Sequence, residues 1–156
     1  MNGALIAVAV LAAATLFGLL WRRRDGVLRA PRRRDGGDGV HEANDHLRPD
    51  AAQRDALRPD DLGAELGEKA TLLQFSSAFC APCRATRRVL GEVAEMVDGV
   101  AHVELDAEAH LDLVRRLNVV RTPTVLVLDE AGRIVRRASG APRKPDVIAA
   151  LGEAIP

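Results

Sequence analysis

FSSAFCAPCRAT, residues 75–86, decides the fold of this chain. The apolar run that leads into it, ATLLQFSS (70–77), reads as a short buried strand ending in two serines. CAPC follows at once. From Cys83 to about Val97 the apolar side chains Val89, Leu90, Val93, Met96 and Val97 recur at helical spacing. Two cysteines three positions apart therefore stand where a strand hands over to a helix. A cysteine at a helix start meets unpaired backbone N–H groups and the positive end of the helix dipole, and both favour a thiolate.

The same alternation continues outward. VAHVEL (100–105) reads as a second strand, and EAHLDLVRRLN (108–118) as a helix with Leu111, Val114 and Leu117 on one face. TPTVLVLD (122–129) is a third strand, DEAG (129–132) a tight turn into RIVRRAS (133–139), and a helix over about 144–153 closes the chain. Upstream, 56–58 reads as a short strand and 61–66 as a helical turn. The core order is β-α-β-α-β-β-α. Crossover helices predict that the first strands run parallel, and the short turn makes the last pair antiparallel. The fold class is α/β, with a mixed central sheet covered by helices on both faces.

The 156 residues suffice for one domain and an appendage. Lys and Arg number 22 and balance 22 Asp and Glu, so nothing in the total charge points to nucleic acid. The charge is unevenly placed, at +3 over residues 1–59 and −3 over 60–156. Two cysteines are too few for a disulfide framework and leave one bridge, one redox couple or half a metal site. A structural zinc needs four ligands, and His102 and His110 are too widely spaced to complete one. No glycine fingerprint for a dinucleotide or nucleoside triphosphate stands at a strand-to-helix junction, so neither cofactor nor metal is expected.

Residues 3–21, GALIAVAVLAAATLFGLLW, carry no charge. As a helix they rise about 28 Å, close to the hydrocarbon thickness of a bilayer. Trp21 suits the headgroup boundary, and seven Arg fall between positions 22 and 34 with none before the run. That is the reverse of a secretory signal, which puts its cations first. A single transmembrane helix contacting lipid is expected, with the N-terminus outside and the remainder cytoplasmic. Residues 22–55 are rich in Arg, Asp and Gly without sustained period, and read as a flexible tether spanning on the order of 30–35 Å. His41 and His46 lie in it with no cysteine nearby.

Over about residues 56–154 the chain resembles the thioredoxin-like family. FSSAFCAPCRAT matches the family's active-site strand, C-x-P-C and helix start, RTPT (121–124) its cis-proline loop, and DEAGRI (129–134) its terminal hairpin. The resemblance implies thiol-disulfide exchange, with Cys80 as nucleophile and Cys83 as the buried resolving thiol. It also implies that Pro123 is a cis-proline facing the cysteines, and that Phe79, Ala81, Pro82, Thr122 and Pro123 meet the partner. That partner would be a disulfide-containing protein, re-reduced by a thioredoxin-reductase-like donor or a membrane thiol carrier.

Four positions depart from the family pattern. The buried Asp that reducing thioredoxins carry six residues before the first cysteine is Gln74, which cannot titrate. The aromatic before that cysteine is Phe79, and the earlier Trp is Ser76. The Lys often found on the next strand aligns with His102, which is expected as a hydrogen-bonded neutral side chain, with a proton relay as the alternative. The leading expectation is a membrane-tethered thiol-disulfide oxidoreductase acting reductively in the cytoplasm. Two alternatives share the sequence: the same chemistry outside the membrane on exported proteins or apocytochromes, and a Cu(I)-binding or docking module.

Overall fold

The computed structural model describes residues 2–24, 26–30 and 56–156, with side chains in the first helix described over 6–19. The elements are α1 (Asn2–Arg24), α2 (Pro59–Leu62), β1 (Ala70–Ser76), α3 (Ala81–Met96), β2 (Val100–Asp106), α4 (Leu111–Arg116), β3 (Thr124–Asp129), β4 (Ile134–Ser139) and α5 (Lys144–Ala154). Four strands form one sheet in the order β2-β1-β3-β4. β1 and β3 take the centre because both are buried along their whole length.

Side-chain parity along those strands builds two cores. Ala70 and Leu72 of β1 and Val125 and Val127 of β3 face one side, where Leu90 and Val93 of α3 and Val147, Ala150 and Leu151 of α5 cover them. Leu73, Phe75, Leu126 and Leu128 face the other, under Leu57, Leu62 of α2 and Leu113 of α4. α3 presents Cys83, Thr86, Leu90 and Val93 inward at helical spacing, so the buried stripe of the helix begins at the second cysteine.

β1 and β2 pair in parallel, as the helical crossover between them requires. β1 and β3 pair antiparallel, which corrects the expectation that the first strands all run one way. The reason is the length of α4. Its 6 residues rise about 9 Å, less than half the length of a strand, so the chain re-enters the sheet from the end at which β2 left it. β3 and β4 are antiparallel across their tight turn. There Gly132 has a φ of 74°, and a Cβ on it would lie 2.0 Å from the Leu57 carbonyl oxygen. Residues 56–58 form no strand; the Leu57 N–H bonds instead to Gly132 O at 2.9 Å.

The segment expected as tether over 22–55 departs from that reading at its start. Residues 22–24 continue α1, and residues 26–30 lie along the outer edge of β4. Arg29 and Arg137 exchange both backbone hydrogen bonds at 2.7 Å, Gly26 N–H donates to Ser139 O at 3.1 Å, and Leu28 packs on the core. An exposed strand edge is satisfied by pairing, and one leucine adds apolar burial to that gain. Residues 31–55, with His41 and His46, lie outside the described residues.

The large apolar side chains described in α1, from Ile6 to Leu19, are 53–67% exposed. Among the described residues no helix is long and apolar enough to cross a membrane.

Candidate active site

β1 ends at Ser76 and α3 begins at Ala81, so the four residues between them turn over the end of the sheet. Cys80 caps α3 from an extended backbone conformation, and its Sγ accepts the Cys83 N–H at 3.1 Å. Pro82 stands in the first turn, where a missing N–H costs nothing. Cys80 and Cys83 are joined in a disulfide with their Cα atoms 5.2 Å apart. The two cysteines differ in access: Cys83 is 3% exposed, whereas Cys80 is partly open and Ala81 and Pro82 are exposed. Phe79 is 100% exposed, an aromatic ring set in solvent beside the reactive pair.

A second segment meets this turn. The Thr122–Pro123 bond is cis, and Ser77 Oγ and Thr122 Oγ1 are hydrogen-bonded at 3.0 Å. Pro123 is buried, and its carbonyl accepts the Gly140 N–H at 2.7 Å. Residues 77–83 and 121–123, some 40 positions apart in sequence, are thus adjacent.

Beneath the cysteines lies a polar cluster. Gln74 is fully buried on the α3 face of β1, and its Nε2 donates to Cys83 O at 3.0 Å, to Ser76 Oγ at 2.8 Å and to Glu104 Oε1 at 3.4 Å. Ser76 Oγ donates to Glu104 Oε1 at 2.5 Å, and Arg87 of α3 forms an ion pair with the same carboxylate. Ser76, Cys80, Cys83, Arg87, Glu104 and Asp106 all line one open cleft. Burial pushes the Glu104 carboxyl up, but hydrogen bonds from Arg87 and Ser76 outweigh it and leave the group below its usual range.

Sequence reading missed Glu104 and Arg87. The signal for Glu104 is alternation on β2, which places His102 and Glu104 on one face, and nothing in the sequence pairs it with Arg87 on α3. His102 stands one step away from the polar cluster. It pairs in register with Leu72, two residues back along β1 from Gln74, while Glu104 is the residue opposite Gln74. Its Nε2 is buried without a hydrogen-bond partner among the described residues, which departs from the hydrogen-bonded ring expected there, and burial lowers its pKa. Among the described residues no group of three or more His, Cys, Asp or Glu side chains could hold a metal ion.

Comparison with known proteins agrees with this geometry. The family model for thioredoxin matches residues 57–153. The chain is 32% identical to thioredoxin of Mycolicibacterium smegmatis over 108 residues, covering 67% of this chain and 93% of that protein. It is 30% identical over 89 residues to the bifunctional thioredoxin reductase/thioredoxin of Mycobacterium leprae, a match covering 56% of this chain and 19% of that longer protein. Among solved structures, a mutant thioredoxin from Halobacterium salinarum superposes with a TM-score of 0.54 at 20% identity, covering 62% of this chain and 82% of that one, a likeness of fold. With a matching family model, the matching fold and a cysteine pair capping α3, this chain belongs to the thioredoxin family and carries the dithiol centre of a thiol-disulfide oxidoreductase.

Proposed function

We propose that the protein is a membrane-anchored reductase of disulfides in client proteins or small molecules. The observation that carries this reading is the unequal exposure of the two bridged cysteines at one helix N-terminus. Once reduced, Cys80 is the thiolate that attacks a client disulfide. Its Sγ bonds to one client sulfur, and the other leaves as a thiolate and takes a proton. Cys83 then gives up its proton and attacks Cys80 Sγ, which restores the bridge and releases the client as a dithiol. The client gains two electrons and two protons; the protein loses them. Thr122 and Pro123 receive the client backbone beside the bond under attack, and Phe79, Ala81 and Pro82 offer exposed surface on the other side.

A reducing direction follows from a cytoplasmic poise of about −220 to −320 mV. The donor that resets the bridge is of the thioredoxin-reductase kind. The name of the M. leprae relative, which joins a reductase to a thioredoxin in one protein, supports that pairing.

The membrane anchor rests on the uncharged run 3–21, which extends past the described side chains of α1 at both ends, and on the Arg cluster after it. The N-terminus is outside and the dithiol domain cytoplasmic. Because Gly26 pairs with β4 only two residues after Arg24, the domain sits close to the bilayer face.

The Cys83→Ser variant tests the chemistry. Expressed in cells, it should accumulate a mixed disulfide through Cys80, and a control with both Cys80→Ser and Cys83→Ser should not. Recovery of no Cys80-linked species would sink the reading. Labelling of an Asp38→Cys variant by an impermeant maleimide in intact cells would overturn the cytoplasmic orientation.

A further inference from the structure

Cations crowd the wrong end of α3. Arg84, Arg87 and Arg88 occupy its first two turns, while Glu92 and Glu95 lie in its last two, the reverse of what the helix dipole favours. That places positive charge beside the cysteines. One of those charges is tied down: Glu104, itself held by Ser76 and Gln74, forms an ion pair with Arg87 on the wall of the dithiol cleft. Among the described residues, the charged and titratable groups facing the cysteines are few. α3 contributes Arg84 and Arg87, β2 contributes Glu104 and Asp106 with His102 one step farther on the same face, and β1 contributes only the uncharged Gln74 and Ser76.

We propose that Glu104 acts as a positioning residue that sets the redox poise of the Cys80–Cys83 couple, by engaging the Arg87 guanidinium and keeping its charge from the sulfurs. The proposal rests on the exchange chemistry above. Reduction adds two electrons and two protons to the bridge, and the dithiol so formed ionises as a pair whose first thiolate appears at the more exposed cysteine. An unengaged Arg87 charge beside that thiolate stabilises the reduced form, and a couple with a stabilised reduced form is a stronger oxidant. Glu104 therefore keeps this couple reducing, from a neighbouring strand, where β1 itself supplies no charge.

The test uses the full chain with dithiothreitol as reductant, which closes to its cyclic disulfide as the bridge opens. At pH 8 the thiol-disulfide equilibrium and the first thiol pKa are measured for wild type, Glu104→Gln, Arg87→Gln, the double variant and Arg88→Gln. Glu104→Gln should shift the equilibrium about tenfold toward the dithiol, equal to about 30 mV less negative, and lower the first thiol pKa. Arg87→Gln should move both readouts the opposite way. The double variant should return to within about twofold of wild type, and Arg88→Gln should match it. Glu104→Gln that melts earlier but leaves potential and thiol pKa unmoved would overturn the proposal, as would a double variant that keeps the full single effect. Should Glu104→Gln fail to fold, the shift in Arg87→Gln decides, and its absence overturns the proposal. A wild-type chain that forms no Cys80–Cys83 bridge would overturn the exchange reading instead.

Discussion

Gln74 and Glu104 face each other across the parallel β1–β2 ladder, and the amide of one donates to the carboxylate of the other. The amide also holds the carbonyl of Cys83. The end of β1 is thereby joined to the second cysteine and to the neighbouring strand through a single side chain that water does not reach.

Replacing Gln74 with Leu should cost about 0.5–1.5 kcal/mol, since Cys83 O and Ser76 Oγ lose the amide that donates to them while the buried, unpaired Gln74 Oε1 is removed as well. Urea unfolding of the oxidised protein measures the loss. A change within about 0.5 kcal/mol would mean the amide is not holding this turn.

His102 predicts an acid-side loss of stability. Burial lowers its folded pKa below the usual 6.5, with Glu104 opposing and Arg87 adding to the shift. The unfolded chain binds the proton first, so stability falls as pH drops through the unfolded value toward the folded one. His102→Asn should remove that component, and unfolding free energies measured between pH 7.5 and 5 should then show a shallower slope.

Glu104 acts in the same direction at lower pH. Burial raises its folded pKa, but hydrogen bonds from Arg87 and Ser76 outweigh that and hold it below the usual 4.5. Its contribution is present above the unfolded value and is lost as pH falls through the folded one. Acid titration of Glu104→Gln should lack that part of the stability loss below a pH of about 4.5.

The Ser77–Thr122 hydrogen bond ties the cysteine turn to the loop proposed to receive the client. Ser77→Ala should destabilise the fold by about 0.5–1.5 kcal/mol and raise KM for a disulfide substrate more than it lowers kcat. Steady-state reduction of insulin checks it; equal effects on both constants would argue against a positioning role for the loop.

Gly26 has a φ of 79°, and a Cβ there would lie 2.1 Å from the Ala141 carbonyl oxygen. Gly26→Val should therefore expel residues 26–30 from β4. Hydrogen exchange should show the Arg29 and Arg137 amides losing protection while those of β1 keep it. Unchanged protection would mean the edge is covered by something else.

Much of this is legible in one dimension. The elements from Ala70 to Ala154 lie within a few residues of where periodicity puts them, because central strands are continuous apolar runs and α3 is an amphipathic repeat. The cysteine turn is legible for the same reason: strand, cap and helix are contiguous, and local rules suffice for contiguous residues. Alignment along one strand, by contrast, singles out His102 and cannot say which β2 residue stands opposite Gln74.

The sequence by itself determined the order of strands and helices, the two-sided core and the chemistry of the Cys80–Cys83 turn, since each depends on the nature and spacing of residues close in the chain. Only the tertiary structure decided that β3 runs antiparallel to β1, that residues 26–30 lie along the edge of β4, and that the carboxylate paired with Arg87 in the dithiol cleft is that of Glu104. These depend on which segments pair and in what register. Alternation and turn geometry constrain the register of a given pair, but which segments pair and in which direction is decided only when parts far apart in the chain pack into one sheet.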